Sequence, residues 1–412
     1  MKLKCPACVK HISCAVFALL VLVLSLEAGL RIYDGRTGSI SGPPAAQSPL
    51  MVTSARAHHE LKPLIAVETP HPDTGRPVSL TTNSLGLRGA EVAVPKPAGV
   101  YRILLLGDDS TLAIETPESE TACRKLQELL QRETPLRVEV VNAGVPGYCP
   151  LLSFLFYRHA LLGLQPDLIV LNFDMSDVAD DHRYRRFTRM GPGGQPLVCA
   201  DPEQTSRYDR PRVLPDRFLL VTWAKRQIGR FSTSRSAQNE SDDLNSPQGK
   251  YAWIRDRAPD MALYVRQAMA PIESLHALAE RSGARLIVSA VPAPWQVSAN
   301  ASNSGSVRRS AGVPRSTVYR GNRPFELLGA FLRKREIPYC NPIDAFRSFP
   351  KPHRLYLRNA AAFSAVGHEL LARQLSRTIL AEVPDFRRHN APPPSTRQTL
   401  PIRSASRRKP VR

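Results

Sequence analysis

The sequence predicts an α/β fold on a doubly wound parallel sheet. Three stretches carry that reading. The run Arg102-Ile103-Leu104-Leu105-Leu106 breaks at Gly107 and continues as Asp108-Asp109-Ser110-Thr111. The pattern recurs in Val138-Glu139-Val140-Val141-Asn142-Ala143-Gly144, and again in Asp167 to Phe173, followed by Asp174-Met175-Ser176-Asp177. Apolar runs that end in small or polar residues are buried parallel strands whose C-terminal edge is used as a site. Three of them side by side place those polar residues along one edge.

The elements follow in order. The apolar run 12–26 comes first, and residues 34–81, rich in Gly, Pro, Ser and Thr, read as a stalk and lead-in. The first strand ends at Gly107. A helix over about 118–132 places Leu126, Leu129 and Leu130 on one face. The second strand lies near 138–142, a helix near 151–163, and the third strand near 167–173. The polar segment 180–258 interrupts the alternation and is read as a mobile insertion. Alternation resumes with a helix near 260–282, a strand at 284–291, a helix near 324–335 and a short strand at 337–340. Ser364 then caps a last helix through about Leu380. Five strands result. Residues 82–384 form the domain, and 385–412 a basic, disordered tail.

The chain has 412 residues, with 42% hydrophobic and 22% charged, so one large α/β core with extensions is within reach. The net charge is +20. Its distribution argues against nucleic acid as the partner. The excess sits in Arg-rich loops and in the tail Arg387–Arg412, where eight Arg or Lys residues meet no acidic ones. No zinc-finger spacing, RNP-like motif or basic heptad accompanies it. A tail of this kind suits anionic lipid or an acidic polymer, or serves as a solubilising end.

Lys2, Lys4 and Lys10 precede the apolar run Ile12–Leu26. Residues 1–33 are read as a cytoplasmic stub and an uncleaved transmembrane anchor, with a signal peptide as the alternative. By the positive-inside rule the rest of the chain lies outside the cytoplasm. Cys5 and Cys8 have redox or metal spacing but no second pair. Cys123, Cys149, Cys199 and Cys340 would meet an oxidising compartment, and their pairing does not follow from the sequence.

Five blocks in register resemble the SGNH (GDSL-type) hydrolase superfamily in its membrane-anchored form. They are Asn83-Ser84-Leu85-Gly86-Leu87-Arg88-Gly89, the strand ending Gly107-Asp108-Asp109-Ser110-Thr111, Asn142-Ala143-Gly144-Val145-Pro146-Gly147-Tyr148, Pro166-Asp167-Leu168-Ile169-Val170-Leu171-Asn172-Phe173, and Phe363-Ser364-Ala365-Val366-Gly367-His368. The resemblance implies a flavodoxin-like three-layer α/β/α sandwich with a five-stranded parallel sheet. It also implies esterase, lipase or carbohydrate O-acyl chemistry from a Ser, a His–Asp pair and an oxyanion hole, without a cofactor or resident metal.

Acyl transfer needs a hydroxyl nucleophile, a base, a group orienting that base, and oxyanion donors. At the family's serine this chain has Asp109, with Ser110 one residue late. Gly147 keeps the backbone oxyanion donor. Ser176 stands at the asparagine donor, Ala362 at the histidine and Ala360 at its acid, with Asn359 the polar residue left at the alternative spacing. Asp108 and Asp177 match family residues that hold loops. His368 matches the Gly-His pair opening the last helix and is read as structural, and His182 as a loop residue. The chain therefore reads as a degenerate SGNH domain, a module holding a glycan or acyl group. Two alternatives stay open. One is a rebuilt site in which Asp108, Asp109, Asp174, Asp177, Asp180, Asp181 and His182 bind a divalent cation or supply a nucleophile. The other is a residual esterase using Ser110.

Overall fold

The computed structural model describes residues 6–37, 50–201, 243–383 and 386. The tail from 387, and the greater part of the expected insertion (202–242), lie outside the described residues.

The first element is helix α1 (Pro6–Thr37). No helix among the described residues is long and apolar enough to cross a membrane, so the expected transmembrane helix is not found. The run 12–26 is shorter than the roughly 20 residues a span needs. Its extension meets Glu27, which is ion-paired to Arg31 at 2.9 Å.

The expected stalk over 34–81 is folded from residue 50 onward. Strands β1 (Met51–Ser54) and β2 (His58–Leu61) form one antiparallel hairpin, and β3 (Ala66–Pro70) and β4 (Pro77–Thr81) a second. Both pack on the domain because Ala57, Leu61, Val78 and Leu80 are buried. Burial alternates along β4, the period-two signature of a strand with one face covered.

The main sheet has five parallel strands. They are β5 (Val100–Gly107), β6 (Arg137–Gly144), β7 (Leu168–Asp174), β10 (Arg285–Val291) and β11 (Tyr339–Cys340), in the spatial order β11-β10-β7-β5-β6. Between β7 and β10 the short hairpin β8 (Thr188–Met190) and β9 (Pro196–Cys199) forms its own two-stranded sheet. Every residue of β5 is buried, as expected of a strand covered on both faces.

Helix α2 (Asp109–Leu112) follows β5 directly, and α3 (Ala122–Glu133) leads to β6. Helices α4 (Pro150–Phe156), α5 (Asp177–Arg185) and α7 (Ala262–Arg281) pack on one another and against the sheet. Short helix α6 (Pro247–Lys250) packs on α5. Helix α8 (Arg323–Arg333) precedes β11, and α9 (Ala365–Glu382) packs on α3 and β11. The helix expected over 151–163 leaves α-geometry after Phe156, continuing as a π turn at Tyr157–Leu161.

Ser364 caps α9 as expected. Its Oγ accepts from Gly367 N at 3.3 Å and donates to Arg354 O at 2.6 Å. Ser364→Ala should cost about 1 kcal/mol of unfolding free energy, read by urea denaturation with an unchanged m-value. Cys123, Cys149, Cys199 and Cys340 are all buried and free.

Candidate functional site

The register of the sheet sets the site. Gly107 lies opposite Gly144, and Val291 opposite Asp174, so three block ends meet along one edge. At Gly144 a Cβ would run into the backbone of Thr111 and Leu112, which only glycine avoids.

Asp108 caps α2: its Oδ1 accepts from Ser110 N at 3.0 Å and Ser110 Oγ at 2.7 Å. Thr111 fixes the turn, with its Oγ1 accepting from Asn172 Nδ2 at 2.8 Å and its carbonyl from Asn142 Nδ2 at 2.9 Å. Buried Arg88, from the lead-in block, donates to the carbonyls of Leu112, Ala113 and Thr116, gathering the end of the turn. Asp177 accepts from Asp174 N at 3.1 Å, and Asp174 from Ser176 N at 2.9 Å. The expected loop-holding role of Asp108 and Asp177 matches these contacts.

A cleft of about 340 Å³ opens here, lined by Asp109, Ser110, Asp174, Ser176, Lys250 and Ala362 among others. Asp109, at the serine position, lies near the Gly147 N–H, which favours its charged form. Gly147 has φ +69, a turn conformation suited to glycine. The backbone donor is thus kept, with a carboxylate beside it.

The cleft is crowded with acid. Burial, then Asp174 and Asp109, push the Asp108 carboxyl well above its ordinary range, eased by Ser110. Burial raises Asp109 as well, against the pull of Lys250. Its own side-chain surface is open to solvent, but the walls around it thin the water, so the upward direction holds. Asp174 rises to about 6, and Asp177 and Asp180 rise, with burial the leading cause in each. Lys250 is held protonated by Tyr251 and by Asp180, Asp174 and Asp109, against its own desolvation. It is the single lysine or arginine lining the cleft among the described residues.

The remaining expected positions separate. Ala362 lines the cleft, whereas Ala360 turns its carbonyl to Ser302 Oγ at 2.7 Å. Asn359 donates to Pro72 O at 3.2 Å, tied to the tip of the β3–β4 hairpin. His368 is buried, with both ring nitrogens unpartnered and its ring edge-on to Phe363 at 5.5 Å; burial, then Arg88, lower its pKa to about 3. That fits the structural reading. His182, expected in a loop, lies instead on α5, against Tyr264 at 5.1 Å. No histidine lines the cleft among the described residues. Nor does any group of three or more His, Cys, Asp or Glu among the described residues form an arrangement that could hold a metal ion. Asp108, Asp174 and Asp177 instead accept from backbone amides, and Asp181 pairs with Arg185 at 2.7 Å.

Lys250 and Tyr251 escape the sequence reading because they lie within the polar segment 180–258, which reads as mobile. Ser246 before Pro247 was the available signal, an N-cap followed by proline at the first helical position; Ser246 Oγ accepts from Gly249 N at 3.1 Å.

No family model matches the chain, and no curated protein matches it. Among solved structures, the lipase/acylhydrolase from Enterococcus faecalis is similar at 15% identity, covering 68% of this chain and 95% of that one, with a TM-score of 0.36. An acetylxylan esterase mutant from Geobacillus stearothermophilus is similar at 15% identity, with coverage of 68% and 94% and a TM-score of 0.37. A GDSL-like lipase from Bacteroides thetaiotaomicron is similar at 11% identity, with coverage of 68% and 88% and a TM-score of 0.34. The roles of the site residues rest on this chain's own geometry. In its blocks and its parallel five-stranded sheet, the chain is similar to the lipases and acylhydrolases of the SGNH (GDSL-type) hydrolase superfamily.

Proposed function

We propose that this chain is a membrane-held, extracytoplasmic SGNH-type domain that has lost ester hydrolysis and binds a glycan or acyl group. The observation that carries it is Asp109. Where acyl transfer needs a hydroxyl, this chain has a carboxylate, lying in the cleft beside the Gly147 N–H that would otherwise stabilise the oxyanion. Across the cleft, Ala362 offers a methyl group where a base is required. The scaffold around both is kept: the Asp108 cap, the Thr111 clamp and the Arg88 tie.

Attachment to the membrane through α1 is supported by the exposed Phe17, Leu19, Leu20, Leu22 and Leu24 and by the lysines before them in the sequence. Alkaline carbonate should leave the chain in the membrane fraction, and release into the supernatant would count against attachment.

A second reading, an active esterase or acyltransferase using Ser110, draws on the 2.7 Å contact of its Oγ with Asp108. Hydrolysis of short-chain p-nitrophenyl esters by the full chain separates the two. The native chain should be silent. The variant Asp109→Ser/Ser176→Asn/Ala360→Asp/Ala362→His should hydrolyse the ester if the cleft is otherwise intact. Native hydrolysis abolished by Ser110→Ala would replace the first reading with the second.

A further inference from the structure

Next to the cleft, and sharing Glu115 and Tyr356 with it, runs a larger groove of about 920 Å³. One wall is the β3–β4 hairpin, the other the loop 353–358 that leads to Ala362. We infer that this groove binds an acidic polysaccharide, a chain of hydroxylated rings carrying carboxylates, held by Arg76, Arg354 and Arg358. The inference rests on the binding-module reading and names its ligand class.

The charge pattern points to an anion. Arg76, Arg354 and Arg358 line the groove, are exposed, and have no side-chain hydrogen bond or ion pair among the described residues. The acids that could answer them are largely engaged. Both oxygens of Asp73 accept backbone hydrogens, from Arg358 N and Asn359 N, at 2.8 Å each. Burial favours the neutral form of Glu115, and Glu120 is the remaining exposed carboxylate. His71 Nδ1 accepts from Asp73 N and Thr74 N at 3.2 Å, which leaves its other nitrogen to donate. Free guanidiniums on two facing walls suit carboxylates, which they grip with paired N–H donors.

The rest of the lining mixes apolar surfaces from Pro77, Pro117 and Val366, on which the C–H faces of sugar rings can pack, with polar groups. Thr74, Thr116, Asn300 and Asn303 supply hydroxyl and amide groups, matched to ring hydroxyls. An acyl chain calls for closed apolar walls, whereas this groove is open and charged at its rim. Its volume is at the upper end for small-molecule sites, as an extended ligand requires.

The test is calorimetric titration of the full chain in detergent with oligogalacturonate and with its methyl ester, which keeps the rings and removes the charge. The acid should bind, and the ester about tenfold more weakly or not at all, with affinity falling as salt rises. Arg76→Ala, and separately Arg354→Ala/Arg358→Ala, should each weaken binding by about tenfold or more while leaving the melting temperature unchanged. Equal binding of acid and ester, no binding of the acid, or arginine variants that bind like the native chain would overturn the inference. So would stronger competition by glycerophosphoglycerol, which would mark a lipid headgroup site. Ester hydrolysis by the native chain would overturn the proposed loss of catalysis without moving these affinities, so the two failures are distinguishable.

Discussion

Replacing Arg102 with Met should lower the unfolding free energy by about 3–5 kcal/mol, the cost of removing one partner from a buried charged network. Arg102 is wholly buried in β5, the strand that delivers Gly107 and Asp108 to the site. Its guanidinium donates to Glu139 Oε2 at 2.5 Å, Leu164 O at 2.7 Å and Ala93 O at 2.9 Å. Methionine keeps most of the volume, so the loss reports unpaired acceptors and not a cavity. Glu139 reaches solvent, with 31% of its side chain exposed, and Glu139→Gln should cost about 1 kcal/mol or less. Urea denaturation at pH 7 with a common m-value measures both. A loss for Arg102→Met no larger than that for Glu139→Gln would show that the guanidinium is not what closes this end of the sheet.

Arg102 also illustrates what the sequence conceals. A strand of leucines and isoleucines was legible because burial on both faces demands an unbroken apolar run, and Arg102 opened that run without betraying its own burial. All five strands and the block ends could be read for the same reason. The hairpins could not. In Pro77-Val78-Ser79-Leu80-Thr81 only two residues are apolar, and they become a buried face only because a domain lies beneath them. That tertiary fact has no local signature. The site divided along the same line. The substituted positions Asp109, Ser176 and Ala362 were legible as departures from an ordered set of blocks, and all three line the cleft. Lys250 was not, since its role depends on carboxylates more than sixty residues away in sequence, and Asn359 proved to face the hairpin that the sequence had hidden.

The same hairpins hold a pair of histidines whose geometry predicts acid sensitivity. His59 Nε2 lies 2.7 Å from Pro146 O, and a carbonyl only accepts, so this nitrogen carries the hydrogen. In the neutral ring Nδ1 is then bare, and His58 Nδ1, 3.0 Å away, must donate to it. A proton on His59 Nδ1 would set two N–H groups face to face. Burial and the neighbouring His59 lower His58 to about 4, and burial lowers His59. Arg183 reinforces both shifts and Asp201 opposes both, while at His59 the hydrogen bond to Pro146 O is the largest opposing influence and Glu60 adds to it; Asp180 also faces His59, and the rings of Tyr148, Tyr184 and Phe187 pack around the pair.

Folded-state values below the unfolded one mean stability that is full above about pH 6.5 and is lost as pH falls toward 4. Discounted for the partial exposure of His58, that loss is about 2 kcal/mol. The cleft carboxylates act with the opposite sign. Asp174, raised to about 6, disfavours the fold at neutral pH and ceases to do so once protonated. The histidine contribution therefore appears only as a difference, between the native chain and His58→Gln/His59→Gln, in which neither position titrates and the amide at 59 can still donate to Pro146 O. Urea denaturation at pH 7.5 and 4.5 should show the native chain losing about 2 kcal/mol more than the variant across that interval. Parallel curves would show that the histidine pair does not make the fold acid-sensitive. A steeper native curve would tie acid to the loop that carries Gly147, because Pro146 is the residue His59 holds and Gly147 follows it.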